Sequence, residues 1–512
     1  MGALTNPRGQ AIGMLAVASA LVISRWALFP KYLITFDEIN FAMAVDRFDP
    51  RLSQPQPPGY PVFVALLKLV SRLVPKIETV FLISGLLLSA AALFLLWKLC
   101  EQAIGSNAGI VGAALLLFNP AFWLAAITNP VRLCFAAGAI GVALCVWLAC
   151  RRSSAKWLVI AAAALGLSAG ARPSLALIMS PLVIWSAWRM RIGIKTAAAA
   201  LLSSAAAVAL WLPALVAICG GPREFVHLLE SYTDSQMVET SLLYGAPPAQ
   251  ALHMAWEAVA WSCLGTLSWL WAVPVLRKRR IDSFRTQFLV MWFVPGLLFY
   301  AIFHVGDPDH TLGIVPATCV AGAIVLAGWT GDGSRRKRVL LPAIAVFLNV
   351  FLFFKPVTVT TKPSTYTPVR WMSDYIADVI EGVGSLRAKG PVTVVMADEM
   401  AGWRQLSYYY PDLPVIVFRR GKGALEAREI VGNRTREIAG TNDTVTLPVC
   451  GEITWIDPAV RPATVHGPAV QVTRSRVFFA PAGPDEAFDF YDVHFVSAKD
   501  TCGQRSVGLW HP

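Results

Sequence analysis

The chain has 512 residues, 56% of them hydrophobic and 15% charged, and a formal net charge of +12. A mean hydropathy of +0.55 means more apolar surface than a water-soluble fold can cover, so the sequence reads as a polytopic membrane protein. The positive charge does not mark a nucleic-acid binder, because the basic residues fall in short clusters between apolar runs and form no basic face with interleaved aromatics.

Taken in chain order, hydrophobic runs near residues 11–29, 79–99, 109–127, 131–150, 157–171, 174–188, 196–218, 256–275, 286–304, 311–329 and 338–354 predict about eleven spans of roughly twenty residues. The first continues past Ala18-Ser19-Ala20 and reads as an uncleaved anchor rather than a signal peptide. The segment Gly59–Pro75 is apolar but short, and carries Lys68 and Arg72, which with Lys76 directly after it recur at every fourth position. Such a helix shows one cationic stripe and is expected to lie along the interface rather than cross it. Basic clusters at Arg151-Arg152-Lys156, Arg189-Arg191-Lys195, Arg277–Arg280 with Arg285, and Arg335–Arg338 then share one side, which the positive-inside rule makes cytoplasmic. The loop 30–78, the loop 219–255, Gly306–Asp309 and the C-terminal tail are placed outside.

The transmembrane part is expected over residues 1–354. From Lys355 the pattern changes: Pro356, Pro363 and Pro368 interrupt it, and residues 355–512 read as a small extracytoplasmic α/β domain. Trp371–Arg387 and Leu425–Ala439 are predicted helices. Val392–Ala397, Val415–Arg419, Ile453–Ile456, Val470–Thr473 and Tyr491–Val496 are predicted strands. The fold class is therefore mainly α, a membrane helix bundle with a C-terminal α/β appendage. Most cysteines lie in apolar runs and read as small core residues, with no metal-binding spacing. Cys450 and Cys502, in the polar tail, can pair in an oxidising compartment.

The charged residues nearest the apolar runs carry the functional signal. Asp37 and Glu38 stand just beyond the first run, where a carboxylate is costly unless it serves chemistry or transport. Asp37 can act as a general base toward a hydroxyl. Thr35 with Glu38 three residues on also matches a capping box, which is compatible with that role because it fixes where Asp37 points. The rigid Pro57-Pro58-Gly59-Tyr60-Pro61 turn aims the next helix, whose Lys68 and Arg72 suit either a phosphate headgroup or snorkelling toward lipid. Arg132 and Arg172, beside Pro130 and Pro173, are intramembrane or boundary arginines that seek an anionic partner or snorkel at helix ends. His304, Asp307, Asp309 and His310 form a polar turn able to grip a headgroup or a metal. The loop 219–255 either covers a substrate cleft or is a solvated linker. A transporter or flippase of a lipid-linked or anionic substrate would place similar charges in a membrane, but the repeated halves with broken helices typical of transporters are not seen in the sequence.

The Asp37-Glu38 pair shortly after the first span, followed by Pro57-Pro58-Gly59-Tyr60-Pro61, resembles the GT-C type polyprenyl-phosphate-dependent glycosyltransferases. Among these it is most similar to the bacterial protein O-mannosyltransferase and aminoarabinose-transferase families. Where that family has His-Pro-Pro this chain has Gln56-Pro57-Pro58, so a role carried by the His does not transfer. The resemblance covers about the first 190 residues with some specificity, and Tyr408–Pro414 resembles the outer tail of such enzymes. It implies a polyprenyl-phosphate sugar donor, a lipid, glycan or protein acceptor, and inverting transfer with Asp37 as base and Glu38 beside it. It further implies a phosphate held by Lys68, Arg72 and Arg172, with Tyr60, Arg132, His304, Asp307 and His310 as further substrate-binding candidates. No cofactor and no obligatory metal are expected, and the only other partner is membrane lipid.

Overall fold

The computed structural model describes residues 7–238, 241–273, 282–303, 307–330, 335–355, 365–397, 401–420, 425–438, 444–447, 452–456, 471–480, 489–498 and 505–508. The chain divides into two compact units, one of Met1–Phe29 with Asn40–Thr367, the other of Pro30–Ile39 with Pro368–Pro512.

The first unit is helical. Its helices are α1 (Pro7–Trp26), α2 (Phe36–Asp46, which begins in the second unit), α3 (Pro61–Ser71), α4 (Ile77–Ala103), α5 (Ser106–Leu117), α6 (Pro120–Thr128), α7 (Val131–Arg152), α8 (Ala155–Ala169) and α9 (Pro173–Met190). There follow α10 (Ile194–Ala209), α11 (Leu212–Ile218), α12 (Pro222–Met237), α13 (Pro248–Cys263), α14 (Leu267–Leu270), α15 (Ser283–Ile302), α16 (Val315–Thr330) and α17 (Arg335–Phe354). Among the described residues five stretches are long and apolar enough to cross a membrane: Gly9–Trp26, Ile77–Ala103, Val131–Arg152, Ile194–Ile218 and Ser283–Ile302. The pair α5–α6 makes a sixth if counted as one bent span, and shorter apolar helices occur at Pro61–Ser71, Ala155–Ala169, Val315–Leu326 and Val339–Phe354. This is a multi-pass membrane protein.

Two expected spans are broken, and the chain shows why. The run 109–127 is not one helix: α5 and α6 meet at 56°. Pro120 cannot continue the hydrogen-bond ladder of α5 but suits the first position of a new helix. Asn119 caps that helix, its Oδ1 accepting from the Ala121 and Phe122 N–H groups at 3.1 and 3.4 Å. The Leu117 carbonyl near the end of α5 accepts from Nη2 of the fully buried Arg25 at 2.6 Å. That guanidinium also lies 4.9 Å from the Trp123 ring. A charge inside the bundle is thus spent on a carbonyl that the break leaves open. The run 256–275 is likewise interrupted by a turn of 3₁₀ helix at Leu264–Thr266 between α13 and α14.

The segment 59–75 forms α3, whose 11 residues rise about 16 Å, too short to span. Lys76 falls beyond it, as the residue capping α4, and lies 3.9 Å from Glu78. The expected three-residue cationic stripe therefore reduces to Lys68 and Arg72. The loop 219–255 is largely helical rather than irregular, with α12 and the start of α13.

The second unit holds α18 (Tyr366–Arg387, whose first two residues belong to the first unit), α19 (Trp403–Tyr409) and a seven-stranded sheet. The strands are β1 (Val392–Ala397), β2 (Val415–Arg420), β3 (Leu425–Val431), β4 (Arg434–Ile438), β5 (Thr444–Leu447), β6 (Glu452–Ile456), β7 (Gln471–Ala480), β8 (Asp489–Ala498) and β9 (Arg505–Gly508). Sheet order is β4-β3-β2-β1-β6-β8-β7, with β5 and β9 paired separately. Central β1 runs parallel to both its neighbours, β2 and β6, and the other described pairs in this sheet are antiparallel. Central β1 reads Val-Thr-Val-Val-Met-Ala and is buried over most of its length, as expected of a strand covered on both faces.

The helix expected at 425–439 is instead the hairpin β3–β4, with Glu429 opposite Arg436. The Arg436 guanidinium meets the Glu429 carboxylate at 2.6 Å. Gly432 turns the chain at φ +57°, where an added Cβ would sit 2.8 Å from the Pro411 carbonyl oxygen. A Gly-Asn pair between charge-alternating arms is a hairpin signal. The apolar residues of this stretch also fit a helical spacing, and that reading fails because cross-strand pairing with β2 is available. Cys450 and Cys502 lie outside the described residues.

Candidate active site

Two groups of residues carry the candidate chemistry, one in each unit. In the second unit, residues 30–39 are fastened by α18 and α19. Lys31 pairs with Glu381 at 2.6 Å on the surface. The Leu33 N–H donates to the Tyr409 hydroxyl at 3.0 Å, and Gln405 Nε2 donates to the Ile34 carbonyl at 2.9 Å. Phe36 packs edge-on against Trp403, with ring centroids 5.6 Å apart, and the Arg404 guanidinium lies 5.7 Å from the Phe36 ring. Burial lowers Arg404 to about 10, the nearby Arg428 adding to the effect. Backbone hydrogen bonds with both partners fixed leave the Leu33–Phe36 segment little freedom.

The capping box forms. Glu38 N–H donates to Thr35 Oγ1 at 3.1 Å, and Glu38 Oε2 accepts from the Thr35 N–H at 2.9 Å, the Ile34 N–H at 3.0 Å and Thr35 Oγ1 at 3.1 Å. Glu38 is 1% exposed. Its carboxyl is pushed up to about 8, chiefly by burial and to a lesser degree by the charge of Asp37, against the lowering effect of its hydrogen bonds to Thr35 and Ile34. Its neighbour Asp37 stands half-buried on the first turn of α2. Adjacent helical residues do not share a face, so the two carboxyls diverge.

In the first unit the centre is a cluster around two guanidiniums. Arg132, at the start of α7, and Arg172, capping α9, both lie over the Phe135 ring, at 5.6 and 4.7 Å. Arg132 Nε is 3.6 Å from Asp309 Oδ1, and both side chains are nearly buried. Arg172 lies within electrostatic reach of Arg132, Tyr60, Tyr300 and Asp309, and its buried Nη1 has no hydrogen-bond partner among the described residues. Burial, followed by the like charge of Arg132, lowers Arg172.

Tyr60 comes from the Pro-Pro-Gly-Tyr-Pro turn. It caps α3 in the left-handed region at φ 48°, after Gly59 at φ +99°. A Cβ on Gly59 would sit 2.8 Å from Leu215 Cδ1, so the turn needs glycine for space as well as for conformation. Val62 N–H donates to the Gly170 carbonyl at 3.2 Å, which ties the turn to the loop that carries Arg172. Tyr60 also meets the edge of Phe41 on α2 at 5.3 Å. Gln56, which stands where the families this chain resembles have His, is 6% exposed, and its Oε1 has no hydrogen-bond partner among the described residues.

The segment read as a polar outer turn is a buried 3₁₀ helix at Pro308–Gly313, every residue of which is buried. Ligand atoms of Asp307, Asp309 and His310 lie within 4.8 Å of one another, a geometry that can gather a metal ion. The Arg132 guanidinium already neutralises Asp309, so a divalent cation would have to displace it. His304 lies outside the described residues.

The structure therefore brings Tyr60, Arg132, Arg172, Asp307 and His310 into one region of the first unit, while Asp37 and Glu38 belong to the second. Lys68 and Arg72 are not part of that cluster: they lie about 12 and 18 Å along α3 from Tyr60. Sequence reasoning missed Tyr300, Phe135, Gln405 and the holding role of Tyr409. The first two stand inside apolar helices and look like ordinary packing residues; only the fold shows that they face two arginines.

A family model described as dolichyl-phosphate-mannose-protein mannosyltransferase matches residues 54–216. No match to a curated protein sequence is found. The crystal structure of ArnT from Cupriavidus metallidurans bound to undecaprenyl phosphate is similar, with a TM-score of 0.56 and 14% identity over 82% of this chain and 87% of that one. The apo state of the same protein gives 0.53 and 15% over 81% and 86%. The chain thus has the ArnT fold. The matched segment contains Gln56 and, of the cluster, Tyr60, Arg132 and Arg172. Sequence match and shared fold together bear out the resemblance to the GT-C type polyprenyl-phosphate-dependent glycosyltransferases.

Proposed function

We propose that this protein transfers a sugar from a polyprenyl-phosphate donor to an acceptor hydroxyl at the outer face of the membrane. The observation that carries this reading is the buried pair Arg132 and Arg172, inside the segment that matches the mannosyltransferase model, with Arg172 Nη1 unpaired among the described residues. Among the described residues Arg172 Nη1 lacks a hydrogen-bond partner, and a phosphate oxygen held by the two guanidiniums would supply one. The ArnT structure with undecaprenyl phosphate supports a lipid-linked phosphate as that group.

In the reaction, Asp37 accepts the proton of the acceptor hydroxyl while that oxygen attacks the anomeric carbon. The bond from the anomeric carbon to the phosphate oxygen breaks on the opposite side, with inversion, and the electron pair leaves on polyprenyl phosphate. Arg172 and Arg132 stabilise the added charge of the leaving group. Lys68 and Arg72, farther along α3, draw the anionic headgroup to the surface. Glu38 is a positioning residue: spent on its own helix start, it fixes the turn that bears Asp37. Phosphate neutralised by arginine is an adequate leaving group, so no divalent metal is required. The C-terminal unit lies outside the cytoplasm with the acceptor side.

Purified protein in proteoliposomes, given polyprenyl-phosphate sugars and membrane glycans or lipids, tests this by mass spectrometry of the products. Asp37→Asn is expected to lower turnover by at least about 10²-fold with folding intact. Wild-type turnover in that variant would remove Asp37 as the base.

A further inference from the structure

A second cluster of arginines lies at the ends of α7 and α9 and the beginning of α15. Here Arg151 and Arg152 close α7, Arg189 lies in the last turn of α9, and Arg191 follows it in the left-handed region at φ 50°. The Arg189 guanidinium lies 4.9 Å from the Phe284 ring and 5.8 Å from that of Trp185. The Arg151 guanidinium lies 5.9 Å from the same Phe284 ring and 5.9 Å from Trp147. Phe284, 7% exposed at the start of α15, thus receives a cation from each of two other helices. Arg189 Nη1 donates to Gln287 Oε1 at 3.3 Å, which further fixes its direction.

Among the described residues none of these four arginines is within ion-pair distance of a carboxylate. The nearest acidic residue in sequence to Phe284, Asp282, is turned to the start of α15, where its Oδ1 accepts from the Phe284 N–H at 3.1 Å. Holding like charges together without a counter-charge is unfavourable, and aromatic stacking offsets it only in part. Beside them opens a recess of about 680 Å³ lined by Ile184, Ala187, Trp188, Arg189, Arg191 and Ile192. Trp188 is 75% exposed and Ile184 66%, one helical turn apart, so the cations sit directly beside an apolar helix face.

We propose that this recess is a binding site for an anionic phospholipid of the membrane itself. The phosphate lies between Arg189 and Arg191, and the acyl chains run along Ile184 and Trp188. A soluble phosphate would use the arginines but not the apolar flank. A phospholipid satisfies both at once, and a basic recess between helix ends on the positively charged side of a membrane protein is where such headgroups bind. The site lies on residues that take no part in the proposed transfer.

The test is lipid retention measured by native mass spectrometry of the full chain, loaded with phosphatidylglycerol or with phosphatidylcholine. Wild type should retain phosphatidylglycerol preferentially. The double variant Arg189→Ala/Arg191→Ala should lose about tenfold or more of that retention, two surface cations being removed. The control Arg223→Ala, on α12, removes one positive charge elsewhere and should change little. Arg189→Lys/Arg191→Lys keeps the charge but loses planar stacking and two-pronged contact, and should fall between wild type and the alanine pair. Trp188→Ser, an exposed change that does not threaten folding, should also weaken retention. Equal retention of both lipids by wild type, full retention in the alanine pair, or displacement of the lipid by millimolar inorganic phosphate would each overturn the assignment.

Discussion

Glu38 offers the sharpest test of how the structure holds the candidate base. Its single oxygen Oε2 accepts from two backbone N–H groups, Ile34 and Thr35, and from the Thr35 hydroxyl. Glu38→Ala leaves these donors without their acceptor in a buried place, at about 1–3 kcal/mol for such a loss. With partial relaxation and water entry the total should be about 2–4 kcal/mol, expressed as local opening of residues 33–39. Hydrogen–deuterium exchange of Ile34 and Thr35 amides in the detergent-solubilised protein reads this directly. The pH dependence follows from the raised carboxyl. In the unfolded chain Glu38 titrates near its ordinary value of 4.5, and in the folded chain near about 8. Between those values the folded form binds the proton that the unfolded form has released, so the stability contribution is whole below about pH 4.5 and is lost as pH rises through about 8. The slope in that window is at most about 1.4 kcal/mol per pH unit for one proton. Glu38→Gln, always neutral, should abolish that slope while protecting the segment better than alanine. If the slope persists in Glu38→Gln, or if amide protection at Ile34 is unchanged in Glu38→Ala, the placement of this carboxyl is wrong.

Other outcomes follow from the same geometry. Gln405→Leu or Tyr409→Phe should lower kcat several-fold with little change in the KM for donor, since each releases one bond to the Leu33–Ile34 backbone; steady-state kinetics in proteoliposomes checks the split. Arg172→Ala should raise the donor KM and lower kcat together, whereas Arg132→Ala should in addition destabilise the fold by about 3 kcal/mol, because it removes the ion-pair partner of the buried Asp309 carboxylate; thermal unfolding separates the two. Chelation with EDTA should leave transfer unchanged; loss of activity restored by a divalent cation would assign Asp307, Asp309 and His310 to a metal. Gly432→Val should destabilise the second unit by about 2 kcal/mol or more, since it requires a β-branched residue at positive φ against the Pro411 carbonyl.

Much of this was legible in the chain. Apolar runs gave the membrane class because spanning helices need long stretches without charge, a constraint that acts on sequence directly. Strand β1 was readable as a compact β-branched run, and the capping box as Thr35 with Glu38, because both depend on neighbours a few residues apart. The break at Asn119-Pro120 was written in the sequence too, but the apolar composition on either side masked it. The β3–β4 hairpin was misread because its arms satisfy two periods, and only pairing with β2 chooses between them.

What the sequence determined by itself is local: membrane residence, the Asp37-Glu38 helix start, the Pro-Pro-Gly-Tyr-Pro turn, and basic clusters between the spans. What tertiary structure decided is which charges meet. Arg132, Arg172, Tyr300 and Asp309 come from positions as far apart as 132 and 309, and α19 reaches residues 33–36 across some 370 positions. Lys76, expected on the same stripe as Lys68, leaves it because the helix ends first. Electrostatic and hydrogen-bond partners act over a few ångströms in space and carry no fixed separation along the chain, so the fold alone can state them.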